Sequence, residues 1–298
     1  MSAPGVIRPG RAQDLPQLLE LWRREVTEGR QDMIPNETRL SRMLGRFDWE
    51  AKSRVLEHDG GIIGSVLVMS RPSPEGVMTN VYAAGEPGVF ADLVSWGVQL
   101  SRAAGASISQ VFVAKGAGRG LDALGLELVR PWWRMDRTLD TLPESRPVAG
   151  YSLADATTVR QGVWSEMFNR TFADHWRFAP RAEEEILGDR PPQLSLMAIV
   201  EADSSPAAIT LGEVEDYGAD PRPQPVGLVS SVGTMPEHRR RGLAGWLVAE
   251  VLRRLRAAGA RHASLYVDGM SPMKAYNVYR KLGFEVASEA EVWEATFP

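Results

Sequence analysis

The chain has 298 residues, a formal net charge of −4 and no cysteine. The length fits two domains of ordinary size, and the acidic balance argues against a general nucleic-acid-binding protein, which is basic over a whole face. Without cysteine the chain forms no disulfide and uses neither thiolate catalysis nor a cysteine-ligated metal. The four histidines are scattered, so we expect no metal site.

The N-terminal stretch MSAPGVIRPGRAQDL contains no apolar signal segment. No uninterrupted apolar run approaches the roughly 18 residues of a membrane-spanning helix. We therefore expect a cytoplasmic protein that binds neither membranes nor nucleic acid. We expect it to be a monomer or a homodimer.

The chain contains an internal repeat. AAGASISQVFV at 103–113 recurs as AAGARHASLYV at 257–267, and LGLE at 124–127 recurs as LGFE at 282–285. Such spacing indicates two copies of one fold. PESRPVAG near 143–150 has the composition of a linker, so we place the domains at 1–145 and 146–298.

In the second copy, strand patterns alternate with helical ones. The predicted elements are, in chain order, a helix over 155–172, strands over 194–202, 207–217 and 226–235, a helix after an arginine-rich loop, a strand over 263–268, a helix over 272–282 and a strand near 284–296. This order predicts a mixed α/β fold in each copy.

The stretch PEHRRRGLAGWL at 236–247 lies between a predicted strand and an amphipathic helix. We call residues 236–242 the arginine loop. Its glycine allows a tight turn, and backbone N–H groups at the following helix start lack intrahelical partners, an arrangement that binds phosphate oxygens. Loops of this composition also serve as plain surface turns. Neither a Walker motif nor a GxGxxG fingerprint is present.

Arg239-x-x-Gly242-x-Ala244 after an apolar strand resembles the coenzyme A pyrophosphate loop of GNAT-superfamily N-acetyltransferases, whose motif is Arg/Gln-x-x-Gly-x-Gly/Ala. Farther on, the stretch from 265 to 284, with Tyr279 and a closing LGF, looks like the strand and helix of that family that end in Leu-Tyr-x-x-x-Gly-Phe. Ser271 stands where many relatives have Asn. The tandem arrangement is similar to the two-domain, mycothiol synthase type of this family.

The resemblance implies two tandem GNAT folds and a coenzyme A site in the second. The implied reaction is acetyl transfer from acetyl-CoA to a primary amine of a small molecule or peptide by direct attack. A non-catalytic acyl-CoA-binding module and a transferase of another acyl group are the alternatives. The implied cofactor-binding residues are Val232, Gly233, Thr234, Arg239, Arg240, Arg241, Gly242, Leu243, Ala244, Gly245, Ser271 and Asn277.

By the same resemblance Tyr279 would protonate the departing thiolate, although a half-buried tyrosine that only packs is the simpler alternative. Glu213 is our candidate for the base that takes the proton of the amine, with Glu215 and Asp268 also nearby. Solvated strand carboxylates are common, however, and a chain of water molecules could serve equally well.

Recognition of the acceptor falls in this family to the first helix and its loop, which here read FNRTFADHWRFAP at 168–180. We call these residues the acceptor segment. Aromatic stripes of this kind are more often part of a core than of a pocket. The residues expected to contact the acceptor are Phe168, Asn169, His175 and Trp176.

In the first copy, the offset between the two AAGA motifs sets residues 85–90 opposite 239–244. The glycine persists at Gly88, but Glu86 would repel a pyrophosphate and Pro87 lacks an N–H donor. By the offset between LGLE at 124–127 and LGFE at 282–285, Leu121 stands where the second copy has Tyr279. We therefore expect a degenerate first copy that keeps the fold and binds no cofactor.

Overall fold

The computed structural model describes residues 5–31, 37–45, 47–118, 120–188, 190–216 and 222–298. The chain forms two compact units. One comprises Met1–Trp132 with Ser288–Pro298, and the other comprises Trp133–Ala287.

Strands and helices alternate along the chain. The strands are β1 (Val6–Arg8), β2 (Ser53–His58), β3 (Gly61–Ser73), β4 (Gly76–Gly85), β5 (Ile108–Ala114), β6 (Glu127–Thr138), β7 (Tyr151–Asp155), β8 (Ser195–Val200), β9 (Pro206–Glu215), β10 (Val226–Thr234), β11 (His262–Asp268) and β12 (Glu285–Thr296). The helices are α1 (Leu15–Thr27), α2 (Glu37–Leu44), α3 (Trp49–Lys52), α4 (Pro87–Ala103), α5 (Val163–Phe172), α6 (Glu183–Leu187), α7 (Leu243–Ala257) and α8 (Tyr276–Lys281). The predicted mixed α/β class is confirmed.

The division into units differs from the one expected at residues 145 and 146. It falls within β6, before the linker-like stretch, and the last residues of the chain belong to the first unit. The reason is that β12 pairs antiparallel with β5, from Ala290 opposite Ala114 to Thr296 opposite Ile108. A sequence repeat does not reveal which copy a terminal strand joins.

In the first unit the strands follow the order β1-β2-β3-β4-β5-β12. All neighbours are antiparallel except β4 and β5, which are parallel. Leu93 and Val94 of α4 pack on one face of this sheet against Val66, Val81 and Val111. These side chains form the core of the unit.

In the second unit the order is β6-β11-β10-β9-β8-β7, with β10 and β11 parallel. The α7 helix buries Leu247, Val251 and Leu255 on one face of the sheet. Trp164 and Met167 of α5 pack on the other face. The 3.6-residue apolar period of α7 and the two-residue period of the strands thus produce a sheet with a helix on each side.

Two helices begin later than the sequence predicts. Residues 156–162 form turns, so α5 starts at Val163 rather than Asp155. Lys274 has a left-handed φ of 48°, which breaks the expected helix over 272–282 and leaves only α8. Gly283 ends that helix with a φ of 82°, as expected.

The repeated motifs adopt the same backbone structure in both copies. At the AAGA motif, the amide of Ala106 donates to the carbonyl of Ser101, and the amide of Ala260 donates to that of Leu255, both at 3.0 Å. These bonds close the two helix ends in the same way. The repeat read from the sequence is therefore a repeat of structure.

Candidate active site

The two parallel strands of the second unit stop pairing before they end. The ladder between β10 and β11 runs from Val226 opposite His262 to Val229 opposite Leu265. Beyond Val229, β10 continues to Thr234 paired with β9 on its other side, after a register shift between Val229 and Ser231. Such irregularities are common next to active sites. Between the ends of β10 and β11 the sheet therefore has an interruption.

The arginine loop leads from β10 into α7. Arg240 has a φ of 61° and Gly242 a φ of 90°, so the chain turns through two left-handed residues before the helix starts at Leu243. Within the described residues no side chain caps this helix start. The backbone N–H groups of 242–245 are therefore the unsatisfied donors that every helix start carries.

Space is available at this helix start. A Cβ on Gly245 would meet nothing within 4 Å, and one on Gly242 would meet only Val148, at 3.8 Å. Open space beside unpaired amides at the positive end of a helix dipole suits an anion. The residues present therefore fit the pyrophosphate of a coenzyme A molecule.

The three arginines of the loop are not equivalent. Arg241 donates to the Tyr151 hydroxyl at 3.1 Å and to the Glu237 carbonyl at 3.2 Å, and the same hydroxyl is hydrogen-bonded to His238 Nδ1 at 2.9 Å. Arg241 thus holds the loop in shape. Arg240 is exposed, and among the described residues its side chain has no hydrogen-bond or ion-pair partner. The sequence alone does not distinguish these roles.

Arg239 points toward the acceptor segment. Its Nε donates to the Thr234 carbonyl at 3.2 Å, and its Nη1 donates to Asp174 Oδ2 at 2.8 Å. The hydrogen bond from Arg239 lowers the pKa of Asp174 below its ordinary value. The arginine loop and the acceptor segment are thereby joined by an ion pair that the sequence did not suggest.

His175 is the residue after Asp174 in the chain, and it contacts the Asp174 carboxylate. Its Nδ1 lies 3.3 Å from Asp174 Oδ1, and its ring centroid lies 4.6 Å from that of Phe172. Desolvation lowers the pKa of His175 below its ordinary value, while the charges of Asp174 and Asp268 act in the opposite direction. The structure therefore places His175 beside the ion pair between the arginine loop and the acceptor segment.

The other three expected acceptor residues differ in their surroundings. Phe168 is 5% exposed and belongs to the core under α5. Asn169 uses its side-chain amide to bind the backbone of Arg181, accepting at 2.9 Å and donating at 3.1 Å. These contacts hold the segment in place and leave little of either side chain for an acceptor. Trp176 is half-buried, with the Arg177 guanidinium 5.6 Å from its ring centroid.

Gly233 is the point at which β10 touches α5. A Cβ there would lie 2.4 Å from Thr171 Oγ1 and 3.0 Å from the ring of Phe172. A residue with a Cβ at position 233 would therefore have to displace α5. Val232 and Thr234, on either side, are half-buried, and the Thr234 carbonyl accepts from Arg239.

Tyr279 lies on α8, 7% exposed, with its ring 6.3 Å from that of Phe284. Burial raises the pKa of its phenol well above the usual range, so the hydroxyl keeps its proton. No group in the described part of the chain hydrogen-bonds it. Asn277 on the same helix is exposed, and Ser271 before the helix is half-buried.

Glu213 is not brought to this end of the sheet. It pairs with Leu228, before the register shift, whereas Thr234 pairs with Ala208. Its carboxylate faces Arg190 at 3.4 Å, and both side chains are largely buried. The expectation that it lies beside the attacking amine has no support in this register.

In the described part of the first copy, no arginine loop follows β4. Its parallel ladder, from Met78 opposite Ile108 to Val81 opposite Val111, matches that of β10 and β11. However, β4 ends at Gly85 and α4 begins at Pro87, so only Glu86 connects them, whereas residues 235–242 connect β10 to α7. The alignment of 85–90 with 239–244 as two loops is therefore wrong, because a counted offset does not detect a shortened connection.

The first copy also lacks the phenol. A short 3-10 turn, Asp122–Leu124, stands in place of α8. Leu126 donates its amide to the carbonyl of Leu121, as Phe284 does to that of Tyr279. Leu121 therefore holds the position of Tyr279, as the offset predicts, and it is completely buried.

Among the residues that the structure describes, no group of three metal-ligating side chains is assembled. No helix in the same ranges is long and apolar enough to cross a membrane.

Comparison with known proteins agrees with this geometry. Residues 217–294 match the family model described as FR47-like protein. A mycothiol acetyltransferase from Thermobispora bispora is 30% identical over 175 residues, which are 56% of this chain and 58% of that protein. The chain thus matches less than two thirds of the length of this relative.

Solved structures resemble the whole chain. A GCN5-related N-acetyltransferase from Sphaerobacter thermophilus has a TM-score of 0.78 at 20% identity, with 98% of this chain and 95% of that chain covered. A tandem GNAT protein from the clavulanic acid biosynthesis pathway has a TM-score of 0.70 at 19% identity, covering 98% and 99%. The fold is therefore that of these GNAT structures, present in two tandem copies, and residues 217–294 of the second copy match the FR47-like family model.

Proposed function

We propose that the second unit is an acetyl-CoA-dependent N-acetyltransferase that acetylates a primary amine. The observation that carries this proposal is the open, uncapped start of α7 at the end of a strand that has left its parallel neighbour at Val229. This arrangement supplies phosphate-binding amides and an interruption of the sheet side by side. The motif resemblance and the names of the related proteins support the same reaction.

Bound acetyl-CoA would supply an activated thioester carbonyl. The amides of 242–245 would bind its pyrophosphate, with the exposed Arg240 adding positive charge. Past Val229, β10 has no partner on β11, so its backbone groups on that side remain for the thioester arm. A backbone N–H directed at the carbonyl oxygen contributes about 3 kcal/mol to such reactions.

Two side chains would handle protons. Tyr279 is protonated when the reaction begins and would donate this proton to the departing thiolate, and the phenolate would then take a proton back from solvent. An amine acceptor must lose a proton, and His175 is better placed to accept it than Glu213, since Glu213 is paired with Arg190. Desolvation favours the neutral imidazole that such a role requires.

For the acceptor we favour a small molecule over a peptide. The support is the names of two similar proteins, a mycothiol acetyltransferase and a glucosamine N-acetyltransferase region of a fungal multi-domain protein. Small-molecule acceptors are therefore tested first.

The test uses the full chain. Calorimetry with CoA and acetyl-CoA measures binding, and thiol release over a panel of amino sugars, amino acids and peptides measures transfer. We expect binding of CoA and transfer to at least one amine. Absence of binding by any CoA species to folded protein would overturn the proposal. Binding without transfer, unchanged in a Tyr279→Phe variant, would favour the non-catalytic module, and a preference for propionyl-CoA would favour another acyl group.

A further inference from the structure

The Arg239 side chain contacts three separate segments of the second unit. Its Nε donates to the Thr234 carbonyl at the end of β10, and its Nη1 donates to Asp174 in the acceptor segment. The same Nη1 lies 3.8 Å from the Sδ of Met273, in the loop between β11 and α8. One guanidinium thus joins the elements that border the interrupted ladder.

These contacts leave Arg239 poorly suited to bind a phosphate. The Asp174 carboxylate 2.8 Å away already neutralises the guanidinium, and a phosphate at the same cation would be repelled by that carboxylate. The side chain is 21% exposed, whereas the neighbouring Arg240 is exposed and free of protein partners in the described ranges. Of these two arginines, Arg240 is the one available to an anion.

The ion pair also fixes a second residue. Asp174 Oδ2 accepts from Arg239, and its Oδ1 lies 3.3 Å from His175 Nδ1. A carboxylate held at one oxygen orients an imidazole at the other. The ring of Phe172 lies beside the imidazole, and Asp268 acts on it by its charge. Arg239, Asp174 and His175 thus form a continuous row of contacts.

We infer that Arg239 is a positioning residue: it holds Asp174, and through it His175, against the end of β10, while the phosphates of the cofactor are bound by backbone amides and Arg240. The inference rests on the proposed function for its catalytic meaning. It departs from the expectation, drawn from the motif, that the side chains of all three arginines serve the cofactor.

Three variants of the full chain test this inference: Arg239→Ala, Asp174→Asn and, as the matched control, Arg240→Ala. Hydrogen exchange of the peptide 173–180 is measured without any ligand, and the Kd for CoA is measured by calorimetry. We expect Arg239→Ala and Asp174→Asn each to speed exchange of this peptide severalfold, with the Kd within about twofold of the unchanged protein. Arg240→Ala should leave exchange unchanged and weaken CoA binding by about tenfold.

A functional measurement separates positioning from mere stability. With the best amine of the acceptor panel, Arg239→Ala should raise the acceptor KM or lower kcat by tenfold or more, and its effect should persist with acetyl-pantetheine, a donor without the pyrophosphate. If the effect disappears with that donor, or if the variant loses CoA affinity tenfold while exchange of 173–180 is unchanged, Arg239 is a phosphate ligand and the inference is overturned. Should the unaltered chain bind no CoA, the proposed function fails, while the exchange experiment still decides whether Arg239 holds the segment.

Discussion

Gly233 and Thr171 are in such close contact that a Cβ on the glycine would lie 2.4 Å from the threonine Oγ1 and 2.8 Å from its Cβ. No rotamer of Thr171 makes room, because its Cβ lies within the close contact and does not move with the rotamer, and the residue is buried. We predict that Gly233→Ala lowers the free energy of unfolding by about 1–3 kcal/mol, measured by urea denaturation. Gly245→Ala is the control, because a Cβ there meets nothing within 4 Å; equal midpoints for the two variants would contradict the close contact.

Gly242 has a left-handed φ of 90°, so a substitution there changes stability as well as binding. Any other residue there costs about 1–2 kcal/mol, so Gly242→Glu and Gly242→Ala should destabilise the chain alike. Only the glutamate adds a negative charge beside the amides of 242–245. We predict that its CoA affinity falls at least tenfold below that of the alanine variant in calorimetry, and similar affinities would show that the anion lies elsewhere.

Tyr279→Phe removes a hydroxyl that has no protein partner in the described residues. Its loss should therefore leave the thermal midpoint within about 2 °C, because the ring and its contact with Phe284 remain. If the phenol protonates the thiolate, turnover should fall by about 10²-fold with little change in the Kd for CoA. Thiol release and calorimetry measure the two quantities, and undiminished turnover would remove Tyr279 from the mechanism.

The one-residue connection between β4 and α4 predicts a single cofactor per chain. Calorimetric titration with CoA should give a stoichiometry of one. Gly88→Glu, in the first turn of α4, should leave that number and the affinity unchanged, since no loop lies there to bind phosphate. Two equivalents of CoA per chain would show that the first copy binds the cofactor without the loop.

His175 provides a prediction about pH. Desolvation disfavours its imidazolium although 41% of the side chain is exposed, so its pKa in the folded chain lies below the ordinary 6.5. The unfolded chain takes up a proton there that the folded chain refuses, so this residue makes stability fall as the pH drops below about 6.5. NMR titration should show the pKa rise in Arg239→Ala, which removes a cation, and fall further in Asp174→Asn, which removes an anion. Shifts of the opposite sign would contradict the contact.

The sequence was sufficient to predict those structural features that depend on residues close together in the chain. The repeated AAGA motif, and the LGLE motif with its counterpart LGFE, each mark a place where a helix or turn ends. The structure forms these ends with the same backbone hydrogen bonds in both copies. The apolar run at 226–235, the glycine at 242 and the apolar period of α7 predicted a strand, a tight turn and a helix in that order. Such features depend on neighbouring residues in the chain, and both the tandem fold and the place of the candidate site followed from them.

Other features depended on which distant residues meet. The chain order does not reveal that β12 joins the first unit, that Glu213 faces Arg190, or that Asp174 captures Arg239. Three adjacent arginines have the same charge in the sequence, yet Arg241 holds the loop, Arg239 holds the acceptor segment, and Arg240 has no side-chain partner among the described residues. The sequence by itself determined the fold and the loop, because propensity and spacing act over a few residues. The role of each charged side chain was decided only by tertiary structure, because an ion pair depends on a distance of a few ångströms between residues far apart in the chain.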